Sequence, residues 1–151
     1  MTKSANPPTV TKLSEFLCFA VYSANLAFGR VYRPILDKLG LTYTQYVALV
    51  ALWEADDQTV GELGDKLFLE SNTLTPILKK LESSGYVERQ RDPADERQVR
   101  IRLTAAGKKL QKQFESIACD LFGATGMGDE FSAVQQSIAR LRDNLLRSNK
   151  T

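Results

Sequence analysis

Few residues in this chain are equipped for chemistry. Cys18 lies in the apolar run EFLCFAVYSANLAFGRVY, residues 15–32, and Tyr22 stands four residues on, one turn later on the same helix face. The other cysteine, Cys119, is 101 residues away, which is neither a disulfide scaffold nor a zinc spacing. The chain has no histidine, so it lacks the commonest metal ligand and the usual general base. That argues against a zinc centre, a Ser-His-Asp triad or a Cys-His protease, and leaves cysteine, tyrosine and carboxylate. Sulfur chemistry runs through the thiolate, and a free cysteine of pKa about 8.5 is only a few per cent ionised at neutral pH. Hydroxyl donors and a place near a helix N-terminus favour the anion, whereas Glu15, three residues before Cys18, opposes it. The competing reading is packing, because free cysteine commonly fills a small buried apolar slot. Tyr32 is too far along the helix to help from its own chain: it would lie about 21 Å from Cys18 at 1.5 Å per residue.

The elements that must hold these residues follow from hydrophobic period. Leu13, Phe16, Leu17, Ala20, Val21, Ala24, Ala27, Phe28 and Val31 recur at three- and four-residue steps, which predicts a helix over about 12–31 that Pro34 ends or kinks. After a turn at Gly40 a second helix is expected over Tyr43 to Glu54, closed by Asp56-Asp57. Val60, Leu63 and Leu67 mark a short amphipathic helix, and LFLESN reads as a turn. Leu74, Ile77, Leu78 and Leu81 mark the next helix, with N-cap residue types at Ser71, Asn72 and Thr73, Pro76 in or near its first turn, and Gly85 as its stop. Tyr86–Arg89 and Val99–Leu103 are β-prone and flank the polar RQRDPADERQ, a hairpin with a long tip. Thr104 then caps a helix through AAGKKLQKQFESIACDLF, and a last amphipathic helix runs from Phe131 to about Leu146.

Charge is unevenly spread. Residues 56–76 carry one Lys against five acids, whereas residues 77–112 carry ten Lys or Arg against five, although the whole chain is only +2. Such a basic stretch is either a footprint for a polyanion or a solvated face. A short helix, a tight turn, a capped second helix and a β-hairpin form the winged helix-turn-helix order, in which the second helix reads a DNA major groove. Its N-terminus offers Ser71, Asn72, Thr73 and Thr75 for base edges and phosphates, with Lys79 and Lys80 further along for phosphates. The wing adds Arg91, Arg97 and Arg100, long cations suited to a narrow minor groove. Singly each piece is also an ordinary cap, face or hairpin tip; their order carries the reading.

The stretch DPADERQVRIRLTAAGKKL resembles the signature of the MarR superfamily, and CFAVYSANLAFGRVYRPILDKLGLTYTQYVALVALWE with LFLESNTLTPILKKLESSGYVERQR resembles its organic hydroperoxide resistance repressors over roughly residues 13–110. The resemblance implies a homodimer on a pseudopalindromic operator in double-stranded DNA, with Arg97 in the minor groove steadied by Asp95. It also implies that an organic hydroperoxide oxidises Cys18, the peroxidatic cysteine. Tyr32 and Tyr43 of the partner subunit would hold the thiolate, with Tyr22 as possible support. Members divide between one sensing cysteine and two; in the second class Cys119 would close an intersubunit disulfide, the alternative for it being buried packing.

The expected fold is mainly α with a small β-hairpin wing, a winged helix-turn-helix with N- and C-terminal dimerisation helices. A single MarR-type domain is expected over 1–151: a disordered arm at 1–11, dimerisation helices at 12–42 and 105–151, and the winged part at 43–104. No cofactor or metal is called for, no apolar run is long enough for a membrane span, and a cytoplasmic protein is expected. Two other functions stay in view. One is a repressor released by a reversible phenolic or amphipathic ligand. The other is a thiol peroxidase, disfavoured because no histidine or adjacent arginine is present to activate peroxide, so an enzyme is not expected.

Overall fold

The computed structural model describes residues 12–150; the arm expected at 1–11 lies outside the described residues. The chain divides into two compact units, Met1–Tyr43 and Thr44–Thr151.

In the first unit a single 3-10 turn, Leu13–Glu15, is followed by extended Phe16 (φ −78°, ψ 118°) and then by α1, Leu17–Lys38. The helix therefore starts later than expected and runs through Pro34 to Lys38 instead of stopping near 31. Proline forfeits only the bond its own N–H would make and strains one carbonyl, and the extra turn places Leu36 at 2% exposure. The end is tightly closed. Leu41 N–H donates to the Leu36 carbonyl at 3.0 Å and Gly40 N–H to that of Asp37 at 3.1 Å, with Gly40 at φ +66°. Leu41 is buried as well.

The helix α2, Tyr43–Glu54, has the expected limits. It is buried on most sides through Tyr46, Ala48, Leu49, Ala51 and Leu52, as a helix with apolar residues at most positions must be. A strand absent from the sequence reading follows, β1 at Gln58–Thr59, and then α3 at Val60–Leu67. Thr59 and Glu62 close a reciprocal capping box at the start of α3. The helix α4, Ser71–Ser83, buries Leu74, Leu78 and Leu81 and stops at Gly85 (φ +82°) as expected. Its start differs from the reading. The N-cap position is Glu70, and Ser71, Asn72 and Thr73 already lie inside the helix, so Pro76 falls in the second turn. The Thr75 hydroxyl donates back to the Ser71 carbonyl at 2.7 Å, one turn earlier.

The hairpin is β2, Val87–Arg91, and β3, Val99–Leu103. The three strands form one antiparallel sheet in the order β1-β3-β2, with Arg100 opposite Thr59 on one side and Gln90 on the other. Thr104 caps α5, Ala105–Ala124, accepting from Gly107 N–H at 3.1 Å. A 3-10 turn at Gly128–Glu130 leads into α6, Phe131–Ser148. The core of this unit is Leu49, Leu52, Leu63, Leu74, Leu78, Leu81, Val87 and Ile101, and α5 adds Leu110, Phe114, Ile117 and Leu121 at helical spacing. None of the residues of α6 is buried. The architecture is mainly helical with a small sheet, the winged helix-turn-helix fold expected.

Candidate functional site

Cys18 is the second residue of α1, one residue beyond extended Phe16, and its sulfur is a free thiol on an exposed residue. The late start of the helix is what puts it in the first turn. No side chain caps this helix, so its first N–H groups keep their outward dipoles, the place where a helix holds an anion. An open cleft of about 340 Å³ surrounds it, lined by Leu13, Phe16, Cys18, Phe19 and Tyr22. Tyr22 thus joins Cys18 within one chain, its ring 6.4 Å from that of Phe19.

Tyr32 and Tyr43 are brought together elsewhere in the same unit, edge to face with ring centroids 5.0 Å apart. Fourteen residues of one continuous helix separate Tyr32 from Cys18, about 21 Å at the helical rise, so one chain does not bring these tyrosines to the sulfur. Cys119 sits on α5 as an exposed free thiol, and neither cysteine occupies a core position of its own chain.

On the second unit the N-terminal turn of α4 exposes Ser71, Asn72 and Thr73, with Thr75 half-buried; Lys79 and Lys80 are exposed on the following turns. Beneath them the wholly buried Leu74, Leu78 and Leu81 fix the helix, so one face is anchored and the other presented. Arg91 is exposed at the end of β2. At the wing apex Arg97 has 90% of its side chain exposed, and its Nε donates to Asp95 Oδ1 at 3.1 Å while its backbone N–H donates to the same oxygen.

Arg100 is not at the tip. It lies in β3, with Nε on Asp57 Oδ1 at 2.8 Å, Nη2 on the Asp57 carbonyl at 2.7 Å and Nη1 on Asp92 Oδ2 at 3.2 Å. The guanidinium is engaged on three sides, which corrects its expected place among the groove cations. Arg102 adds a second ion pair to Asp57 at 3.1 Å. Hydrogen bonds from Arg100 and then Arg102 hold the Asp57 carboxyl below its ordinary 3.8. The Ala94 backbone N–H first, and Arg100 after it, outweigh desolvation to lower that of Asp92. Asp57 was expected only as part of the turn that closes α2, and neither it nor Asp92 was expected as a site residue. Asp57 lies 43 residues from Arg100, a separation that no local spacing signals.

A third feature is a cleft of about 270 Å³ between α2 and α5, lined by Tyr46, Val50, Trp53, Glu54, Gln111, Phe114, Glu115 and Ala118. Phe114 stacks on Tyr46 at 4.7 Å, and Trp53 Nε1 donates to the Gly107 carbonyl at 3.0 Å. Among the described residues no group of three or more His, Cys, Asp or Glu is placed to hold a metal ion, and no helix is long and apolar enough to cross a membrane.

Comparison with known proteins agrees with this geometry. The family model for the transcriptional regulator SarA/Rot matches residues 30–114. The HTH-type transcriptional regulator TtmR of Methylorubrum extorquens is 49% identical over 134 residues, covering 88% of this chain and 69% of that protein. The organic hydroperoxide resistance transcriptional regulator of Bacillus subtilis is 37% identical over 139 residues, covering 91% and 95%. Among solved structures, reduced AbfR bound to DNA superposes with a TM-score of 0.78 at 39% identity, over 89% of this chain and 94% of that one. Disulfide-formed AbfR superposes with a TM-score of 0.68 at 37% identity, over 89% and 92%. By winged architecture and by sequence, this chain belongs to the MarR/SarA family of winged-helix transcriptional regulators.

Proposed function

We propose that this regulator is a DNA-binding repressor, a homodimer on a pseudopalindromic operator, that lets go when an organic hydroperoxide oxidises Cys18. The observation that carries the reading is the thiol in the first turn of α1, exposed in an apolar cleft beside Tyr22. An alkyl hydroperoxide has an apolar body to fill such a cleft and a weak O–O bond to present to the sulfur. Cys18 thiolate attacks the distal oxygen, the O–O bond breaks, and the departing alkoxide takes a proton to become the alcohol, leaving a sulfenic acid. Cys119 of the other subunit, as thiolate, then attacks that sulfur; an S–S bond forms and hydroxide leaves as water after protonation. Tyr32 and Tyr43, already paired edge to face in one subunit, would donate their hydroxyls to the partner's sulfur. Support comes from the hydroperoxide resistance regulator of B. subtilis and from AbfR, solved both reduced on DNA and with its disulfide formed.

Ser71, Asn72, Thr73 and Thr75 supply the groove contacts in this reading, Lys79 and Lys80 the phosphate contacts, and the wing cations Arg91 and Arg97, the latter steadied by Asp95, the minor-groove contacts. The test is Cys18→Ser. Operator affinity should match wild type, while one equivalent of cumene hydroperoxide, which should release the wild-type protein, should leave the variant bound in a gel-shift titration. Release of the serine variant by peroxide would sink the redox reading. Non-reducing mass spectrometry of the oxidised wild type should give a Cys18–Cys119 peptide joining two chains; a monomer-mass adduct would rule out the two-cysteine route.

The cleft between α2 and α5 favours one second reading, release by a reversible amphipathic ligand seated against Tyr46, Trp53 and Phe114. The two separate by reversal: dialysis restores DNA binding after ligand release, whereas disulfide release needs a thiol reductant.

A further inference from the structure

We propose that Asp57, Arg100 and Asp92 form a brace that seats the wing apex, making Arg100 a positioning residue for DNA binding rather than a DNA contact. The inference rests on the DNA-binding reading above. Each member of the brace comes from a different place along the sheet. Asp57 follows α2 and precedes β1, Arg100 is on the central strand β3, and Asp92 directly follows β2. One guanidinium therefore ties the outgoing end of one edge strand to the turn before the other.

From Asp92 the hydrogen bonds continue to the apex without a gap. The second carboxylate oxygen of Asp92 accepts from Ala94 N–H at 2.9 Å, its own N–H donates to the Gln98 carbonyl at 2.8 Å, and its carbonyl accepts from Asp95 N–H at 3.2 Å. Asp95 then takes both the backbone N–H and the Nε of Arg97. A polar tip on a two-stranded hairpin has little apolar contact to fix its angle, and polar ties of this kind must supply it.

The contrast between the two arginines supports the division of labour. The Arg97 side chain is 90% exposed and that of Arg100 only 27%. The charge of Arg100 faces Asp57 and Asp92 at contact distance, which leaves it little attraction for phosphate. Asp57 also holds a left-handed backbone, φ +57°, an uncommon conformation for a residue with a side chain. Its N–H donates to Asp56 Oδ1 at 2.8 Å and its carbonyl accepts from Arg100 Nη2, so the turn is held from both ends.

The test uses full-length protein and a duplex enriched by the wild-type protein from a randomised DNA pool, with affinity read by fluorescence anisotropy across a salt series. Asp57→Asn removes a negative charge and no cation, so electrostatics alone predicts equal or tighter binding. The brace predicts weaker binding by about tenfold and a shallower salt slope by about one, because Arg97 loses its seat. Arg97→Ala should weaken binding similarly, and Arg100→Met should then add less than about twofold in the Arg97→Ala background. Amide exchange should quicken over residues 92–98 in Asp57→Asn while α4 stays protected, which distinguishes a loosened wing from a general loss of fold. Asp57→Asn with wild-type or tighter affinity and an unchanged slope, or losses at Arg97 and Arg100 that multiply, would overturn the brace alone. A wild-type protein that enriches no duplex would instead overturn the DNA reading, and the brace with it.

Discussion

Gly107 has no room for a side chain. A Cβ there would lie 2.1 Å from the Tyr86 carbonyl oxygen, and the same short stretch of backbone is in use on both sides. Its N–H donates to Thr104 Oγ1 and its carbonyl accepts from Trp53 Nε1, while the Tyr86 carbonyl accepts from Thr104 N–H at 3.0 Å. Any added volume must push backbone against backbone, so Gly107→Ala should cost roughly 1–3 kcal/mol, read as a lower urea midpoint at unchanged slope. An unshifted midpoint would mean that the start of α5 gives way freely. The sequence marked Thr104 as a cap, because threonine before a helical period is a local signal. It did not mark Gly107, because what makes glycine necessary there is the backbone of Tyr86, just before β2 and 21 residues earlier in the chain. The same division holds at the candidate sites. Cys18, Tyr22 and the exposed arginine at 97 are visible from neighbours in sequence, whereas Asp57 gains its meaning only when β1 lies beside β3.

At the level of elements, agreement follows the strength of the local signal. The limits of α2 matched residue for residue because its apolar density ends in the acidic Asp56-Asp57 turn. The limits of α1 did not, since Pro34 reads as a stop, and the burial of Leu36 and Leu41 that carries the helix past it is not a periodicity. The strand β1 has two residues, too few for any alternation to register. That short strand lets the α2 turn reach the wing, and the brace it completes gives stability a pH signature. The carboxyls of Asp57 and Asp92 titrate below their ordinary value. A group whose folded pKa is depressed adds stability above its unfolded pKa and loses it as pH falls through the folded one. The gap in Tm between wild type and Asp57→Asn should therefore be constant near neutrality and close as pH drops below 3.8. A gap that widened on acidification would remove the ion pairs from the explanation.

For the molecule as a whole, the most telling feature is apolar surface on a single chain. In α6 Phe131, Val134, Ile138, Leu145 and Leu146 are all exposed, and in α1 so are Leu17, Phe19, Val21, Tyr22, Leu26, Phe28 and Val31. Surface of this extent normally marks an interaction site, and a second copy of the chain is the partner that the proposed operator symmetry asks for. Ile138→Asp should accordingly halve the mass measured by sedimentation equilibrium at micromolar concentration and weaken operator binding by tenfold or more, on the order expected when one of two half-sites is lost. A variant that stays dimeric would remove α6 from the interface. Sequence period placed these helices, but which faces remain open is a property of the folded chain and not of its pattern. The molecule also carries its own optical probe. Its single tryptophan, Trp53, is tied to Gly107 and lies 5.3 Å from the Phe114 ring, where α2 meets α5. The emission of that one indole reports on this junction, so an amphipathic ligand added to unlabelled protein should shift it if the α2–α5 cleft is the seat proposed for it.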